Sequence, residues 1–317
     1  MVRAARKSER GVALLVTMMA LALMTLLVMD FTTSASLGYR SAAGQANELR
    51  AEYLARSAVN VGLSLLSTDA QQDALAKTPH DGLDEPWAQP YPPLPLGGGA
   101  AQIAIADEAR KIDINLLMNP RTGQPNPVYV AIVERLFTNI GVDPSIIPAI
   151  VDWLDPDSIE SPGGAESNYY LRLLPPYEPR NGPMPTIGDL RMIRGVDDAT
   201  FLRLQQFLTA SPEPRVNINT APPEVIAALL PELSDNTSMI KEIIQARTVQ
   251  PFLTITDVGN LAGLGDVATP LMKLITTRSA YFTLTGVGVF ANSRRRIIGT
   301  FRRNANGTAM LASWQEG

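Results

Sequence analysis

The sequence predicts an α+β protein: a long N-terminal helix plus a small antiparallel sheet, with a large all-helical domain inserted into it. Three observations carry this. An uncharged run from Val12 to Met29 continues without proline to Leu66. Apolar residues alternate with a period of two near residues 100–115 and again beyond residue 279, as in half-buried strands. Between them, Val128 to Leu274 has the helical period and is punctuated by Pro, Gly and Asp-Asn. With 317 residues, 45% hydrophobic and 18% charged, the chain has the composition of a folded protein with one large or two modest domains.

In the run GVALLVTMMALALMTLLVM, only Thr17 and Thr25 are polar after Gly11. A helix rising ~1.5 Å per residue over this length crosses most of a bilayer core of about 30 Å. Arg3, Arg6, Lys7 and Arg10 precede it and Asp30 follows, so the positive-inside rule keeps the N-terminus cytoplasmic and exports the rest. Three readings stay open for this segment. One is a cleavable signal with a poor site at Ser34-Ala35-Ser36, and another is a plain signal anchor. The third is a short basic leader, residues 1–11, cut after the Gly of SERG to leave the apolar helix at a new N-terminus.

Residues 12–29 thus form the membrane part of the helix, and 30–68 the part outside. From Phe31 to Leu66 there is no Pro, and Gly occurs only at 38, 44 and 62. Ala51, Leu54, Ala58, Val61 and Leu65 give a narrow apolar stripe, with Glu48, Arg50, Glu52 and Arg56 mostly off it. Thr68-Asp69 begins the expected end.

Residues 69–127 are expected to hold the first part of the sheet. A proline-rich connector containing Trp87 leads to two strands, Ala100–Ala106 and Lys111–Asn115, separated by a turn at Asp107-Glu108. Gly97-Gly98-Gly99 lacks the Gly-Lys-Ser/Thr of a phosphate loop and reads as a hairpin entry. Residues 128–275 form the inserted helical domain. Its helices are expected at Val128–Asn139, Pro144–Leu154, Thr186–Ile193, Asp198–Leu208, Pro222–Leu230, Ser238–Arg247 and Thr256–Leu261. In TAPPE, Thr220 reads as an N-cap followed by Pro in the first turn. Residues 276–317 complete the sheet with strands at Ser279–Phe290, Arg295–Arg302 and Met310–Trp314, joined at Asn292-Ser293 and at the hairpin signal Asn306-Gly307.

Composition excludes several classes. The absence of Cys removes disulfides and thiolate metal sites. Net charge is −4; without residues 1–11, 23 Lys plus Arg face 30 Asp plus Glu, a net of −7. That is the wrong sign for a nucleic-acid binder, whose affinity comes largely from neutralising phosphates. The hairpins ending Ile193-Arg194-Gly195-Val196 and Leu261-Ala262-Gly263-Leu264-Gly265 resemble those of helix-hairpin-helix modules, but few basic residues surround them. His80, the sole histidine, has no partner pattern for nucleophilic catalysis, so no enzyme is expected.

The densest acidic stretch is VDWLDPDSIESPGGAESNYY, with Asp152, Asp155, Asp157, Glu160, Glu166 and Asn168. Oxygen ligands in a Gly/Pro loop suit a hard cation taking six to eight oxygens, so calcium is the candidate cofactor. The spacing is not that of an EF-hand. The competing reading is a solvated acidic loop capping the helix that ends near Trp153.

Seven stretches, taken in order, resemble the minor pseudopilin K family of type II secretion systems, general secretion pathway protein K. They are RGVALLVTMMALALM, DEPWAQP, the strands ending KIDINLL, IVDWLDPDSIESPGGAESNYY, GPMPTIGDLRMIRGV, VNINTAPPEV and SAYFTLTGVGVF. The resemblance covers nearly the whole chain. It implies a type IV pilin-like fold, with residues 1–11 as a prepilin leader cut after Gly11 and the new amine of Val12 methylated by a prepilin peptidase. Most prepilins carry Glu at the fifth mature position; here that position is Val16, and K pseudopilins share this lack.

The implied role is a single-pass inner-membrane protein with its bulk in the periplasm. It caps the pseudopilus tip and helps initiate assembly for protein export across the outer membrane. Implied partners are the I- and J-type minor pseudopilins, the major pseudopilin, the prepilin peptidase and the inner-membrane secretion platform. Calcium bound by the inserted domain is also implied, and the family's frequent disulfide has no counterpart here. A minor pilin of a type IV pilus and a membrane-anchored DNA-uptake receptor are the alternatives.

Overall fold

The computed structural model describes residues 5–77, 79–304 and 306–317, with side chains from residue 11 onward; the first four residues of the expected leader lie outside the described residues. Helix α1 (Ala5–Leu75) is continuous over 71 residues. It is long and apolar enough to cross a membrane, and its apolar run is exposed throughout. It continues past the end expected at Thr68-Asp69. Asp69, Ala70 and Asp73 are buried, and Arg303 binds the Asp69 carboxylate, so tertiary contact carries the helix on.

After a connector with the buried Trp87 come β1 (Leu94–Leu96) and β2 (Gly99–Asp107), joined at Gly97 and Gly98, both at positive φ. The chain then enters a helical domain. Its elements are β3 (Ile112–Asp113), α2 (Pro127–Asn139), α3 (Ile147–Leu154), α4 (Ser167–Tyr170), α5 (Asp198–Leu204), β4 (Leu208–Thr209) and β5 (Val216–Asn217). There follow α6 (Pro223–Leu229), α7 (Pro231–Ser234), α8 (Thr237–Val249), α9 (Ile255–Gly259), α10 (Ala268–Met272) and β6 (Ile275–Thr276). Three long strands close the chain: β7 (Tyr281–Phe290), β8 (Ser293–Arg303) and β9 (Ala309–Glu316).

The main sheet is antiparallel with order β1-β2-β7-β8-β9. Because β2 pairs with β7, the helical domain is an insertion between two neighbouring strands. Asp107 lies opposite Phe282, and the Glu108 N–H donates to Tyr281 O at 3.0 Å. Two cores result. One joins α1 to the sheet through Leu54, Ala55, Val59, Leu66, Leu284 and Ile297, and the larger fills the helical domain.

Several expectations need correction. Lys111–Asn115 is not a hairpin partner of β2: Ile112-Asp113 pairs in parallel with Leu208-Thr209, and the chain then turns into a 3-10 helix, Ile114–Leu117. The helical domain therefore starts near residue 110 and is not purely helical, since β5 and β6 also pair in parallel. Thr220 does not cap α6, whose cap position is Pro222; its hydroxyl donates instead to Asp107 at 2.6 Å. The stripe on α1 is also displaced. Val61 is exposed and Leu65 half-buried, while Ala55, Val59, Gly62 and Leu66 face the sheet. A stripe spaced by alternating threes and fours has period 3.5 and drifts ~20° per heptad around a straight helix.

The helix lies close on the sheet because glycines allow it. A Cβ on Gly288 would stand 1.9 Å from Ala51 O, and one on Gly286 2.3 Å from Ala55 O. The direction is fixed by these contacts: the Phe290 end of β7 lies under the Arg50 guanidinium, and the Tyr281 end lies near Arg303 and Asp69. The inserted domain thus leaves the sheet at the end far from the apolar half of α1.

Candidate metal centre

Helix α3 buries Ile147, Ile150, Val151, Asp152 and Trp153, and Asp155 follows as its C-cap residue in extended conformation. Pro156 and Pro162-Gly163, the latter glycine at positive φ, then fold the chain back toward α4. The fully buried Asp152 shapes this loop. Its carboxylate accepts from the Ser161 N–H at 3.1 Å and packs on Gly164, where a Cβ would lie 1.9 Å from its oxygen. Arg194 donates to Gly164 O at 2.7 Å and stands over the Tyr169 ring. Beneath the loop, Trp153, Tyr170 and Tyr177 pack edge to face or tilted.

This scaffold brings together Asp155, Asp157 and Glu166, each offering an oxygen within 4.8 Å of the others. Both Glu166 oxygens and Asp155 Oδ1 are buried without a hydrogen-bond partner. Burial, then the charges of Asp157 and Asp152, push Asp155 up to about 6. Burial, then Asp155 and Asp152, push Glu166 up to about 7. Of the six predicted ligands, Glu160 stands outside this group and is exposed, as is Asn168; Asp152 contributes its field and its loop contacts.

One residue was missed by sequence reasoning. Asn181, at φ 48°, donates its side-chain amide to Asp157 O at 2.6 Å, and its Oδ1 is buried without a partner. It lies beyond a proline-rich stretch, and only the Asn-Gly pair at 181–182 signalled a turn there.

A second carboxylate group, Asp69, Asp81 and Glu85, shows what the first lacks. There the Arg303 guanidinium binds Asp69 and Asp81 from within the protein. No cationic side chain makes a salt bridge to Asp155, Asp157 or Glu166 among the described residues. Three converging carboxylates, two of them with orphaned oxygens, fit a hard cation, whose oxygen ligands at ~2.4 Å stand up to roughly 4.8 Å apart. The hairpin at Ile193–Val196 is a packing turn: Gly195 sits at φ 86°, with Ile146 Cγ2 2.7 Å from where a Cβ would be.

A long helix whose apolar N-terminal run is a candidate membrane anchor, and whose other half is the spine of a small antiparallel sheet, defines a pilin-like subunit, here carrying an inserted helical domain. Comparison places it further. Residues 110–213 and 216–278, together just over half of the chain, match the family described as type II secretion system (T2SS), protein K. The type II secretion system protein K of Pseudomonas aeruginosa is 27% identical over 311 residues, covering 95% of this chain and 91% of that protein. That of Klebsiella pneumoniae is 28% identical over 250 residues, 75% of each chain. A chain of the GspK-GspI-GspJ complex from the enterotoxigenic Escherichia coli type 2 secretion system shares the fold. It superposes with a TM-score of 0.74 at 22% identity, covering 87% of this chain and 99% of that one. The chain belongs to the type II secretion system protein K family. The family boundary at residue 110 coincides with the point where the helical domain begins.

Proposed function

We propose that this chain is the minor pseudopilin that caps the pseudopilus tip and helps initiate its assembly for protein export. The observation that carries the reading is the placement of the inserted domain, at the end of the sheet remote from the membrane helix, where another subunit would otherwise stack above it. The leader is cut after Gly11 and Val12 is methylated. The N-terminus stays cytoplasmic, and the sheet and helical domain lie in the periplasm. Val16 stands where most prepilins have Glu, which agrees with a subunit that has no earlier amine above it to neutralise; an unpaired carboxylate there would be costly in lipid.

Its partners are the I- and J-type minor pseudopilins, in keeping with the complex formed by the Escherichia coli relative, together with the major pseudopilin and the inner-membrane platform. It acts as an assembly subunit rather than an enzyme. Calcium held by Asp155, Asp157 and Glu166, with Asn181 alongside, fixes the loop between α3 and α4. The test is purification from membranes of the secreting cell, followed by intact-mass analysis. The expected result is a chain beginning at methylated Val12 and recovered with I- and J-type subunits. A chain retaining Met1, recovered alone, would overturn the reading.

A further inference from the structure

The two margins of the main sheet are built differently. At one, β1 has three residues with Pro95 at its centre, a short proline-bearing strand that cannot extend a sheet. At the other, β9 has eight residues, no proline, and Glu316 as its only charge. That charge is held by Arg56 of α1 at 2.8 Å.

The backbone of β9 has a defined polarity. Arg296 and Gly317 exchange both of their N–H···O bonds at 2.9 Å, which sets the antiparallel alternation. Ile297↔Glu316 and Gly299↔Trp314 are then non-bonded pairs, so Glu316 and Trp314 turn N–H and C=O away from β8. Beyond the bulge at Thr300/Phe301, Arg303 donates to Ala280 on the β7 side. Its partner Ala309, and Leu311 two residues on, therefore also face outward. The side chains add to this: Met310, Leu311 and Trp314 are exposed.

The sheet face turned away from α1 carries Arg294, Arg296 and Arg302, and its other strand residues are uncharged. None of the three arginines has a salt-bridge carboxylate among the described residues. On the opposite flank, Leu49 and Tyr53 are exposed on the face of α1 that holds Arg56.

We propose that β9 takes up an extended strand from a neighbouring pseudopilin subunit, one bearing carboxylates on the side that faces Arg296 and Arg302. The inference rests on the family reading above. Outward-turned backbone donors and acceptors need a strand, not a helix. At a strand spacing of ~4.8 Å the added strand lies two spacings from β8, close enough for an arginine and a glutamate to meet over β9. A second copy of this chain does not satisfy the same face, since its own β9 brings Ser313 and Gln315 and sets arginine against arginine.

The test uses the full-length chain in its native membrane, with a photo-crosslinking amino acid at Ser313 and, separately, at Tyr39 on the exposed part of α1. An adduct from Ser313 with the mass of this chain plus one other pseudopilin is expected. Leu311→Pro removes an outward N–H and no β8 bond, and should cut that adduct roughly tenfold, where Leu311→Ala should not. Arg296→Glu with Arg302→Glu, both at exposed positions, should cut it similarly. Adducts from Tyr39 with none from Ser313 would overturn the strand site and leave the proposed pseudopilus assembly standing. No adduct from either would overturn that assembly role as well. An adduct of two copies of this chain, or one indifferent to Leu311→Pro and to the arginine reversals, would refute the proposal.

Discussion

Asp155 and Glu166 are buried, close together and, among the described residues, without a salt-bridging cation of the protein's own. Their folded-state pKa values, about 6 and about 7 with burial as the main cause, lie above the ordinary range. The folded chain without calcium therefore binds these protons more tightly than the unfolded chain. Its stability from these groups is complete below the unfolded carboxyl range and is lost as pH rises through 6 and 7. On the calcium proposal above, the ion takes the deprotonated form and should stabilise most at the upper end of that window. At a free concentration of one hundred times Kd it should add ~2.7 kcal/mol, about 5–10 °C in Tm for a domain of this size. Asp155→Asn with Glu166→Gln should abolish that shift and, in chelator at pH 8, unfold at a higher temperature than the parent. Asp107 and Glu213, also raised by burial, add to the same pH trend, so the difference between variant and parent isolates the loop. Thermal scans at several pH values, with calcium and with chelator, check this. An unchanged calcium shift would place the ion elsewhere.

Among the elements, α1 depends most on what its neighbour omits. Gly286 and Gly288 of β7 admit the α1 backbone at distances no Cβ permits. Gly288→Ala should destabilise the pilin-like part by ~1–3 kcal/mol or more, because the clash is with backbone and cannot be relieved by a rotamer change. Gly44→Ala is the contrasting case: nothing lies within 4 Å of its Cβ position, and it should stabilise the helix by about 1 kcal/mol. Denaturant unfolding of both variants checks the pair, and equal effects would mean that the close approach is not what holds the helix down. Strands β7 and β8 were legible in the sequence because one face of each is buried and the period of two survives, whereas β9, with no buried face, was announced by the Asn306-Gly307 hairpin signal before it. Lys111–Asn115 showed the same period for another reason. Its two-residue strand pairs with Leu208-Thr209, 96 residues away, and no local pattern announces a partner at that range. Thr220 failed as a cap because the buried Asp107 carboxylate takes its hydroxyl, again across more than a hundred residues. The acidic loop was legible as a cluster. Which carboxylates converge was not, because that depends on Gly164 lying against Asp152 and on Asn181 arriving from a later turn.

The whole molecule consists of two cores joined through one polar junction. Arg303 of β8 binds Asp69 of α1 and Asp81 of the connector, Asp81 accepts from the Ser279 N–H at 2.7 Å, and Asn217 donates to Asp107 at 3.0 Å. Thr220 and Asn217 reach this junction from the helical domain, whereas Arg303, Asp69 and Asp107 belong to the pilin-like part. The chain enters and leaves the insertion at residues already paired across β2 and β7, so residues 109–280 can be replaced by an Asn-Gly turn without breaking that ladder. Excision takes no residue from the α1–sheet core, and it opens Asp107 and Asp81 to water, where their charges no longer need the lost partners. The expected product stays in the membrane and retains its sheet by circular dichroism, at a lower Tm than the parent. Tip location and secretion should both be lost, because the bulk that covers the end of the filament is gone. A variant that folds and still supports tip location and secretion would show that the helical domain is not the cap. One that cannot fold would show instead that the contacts of Asn217 and Thr220 with Asp107 and of Ser279 with Asp81, rather than the glycine-lined helix–sheet contact, hold the pilin-like part together.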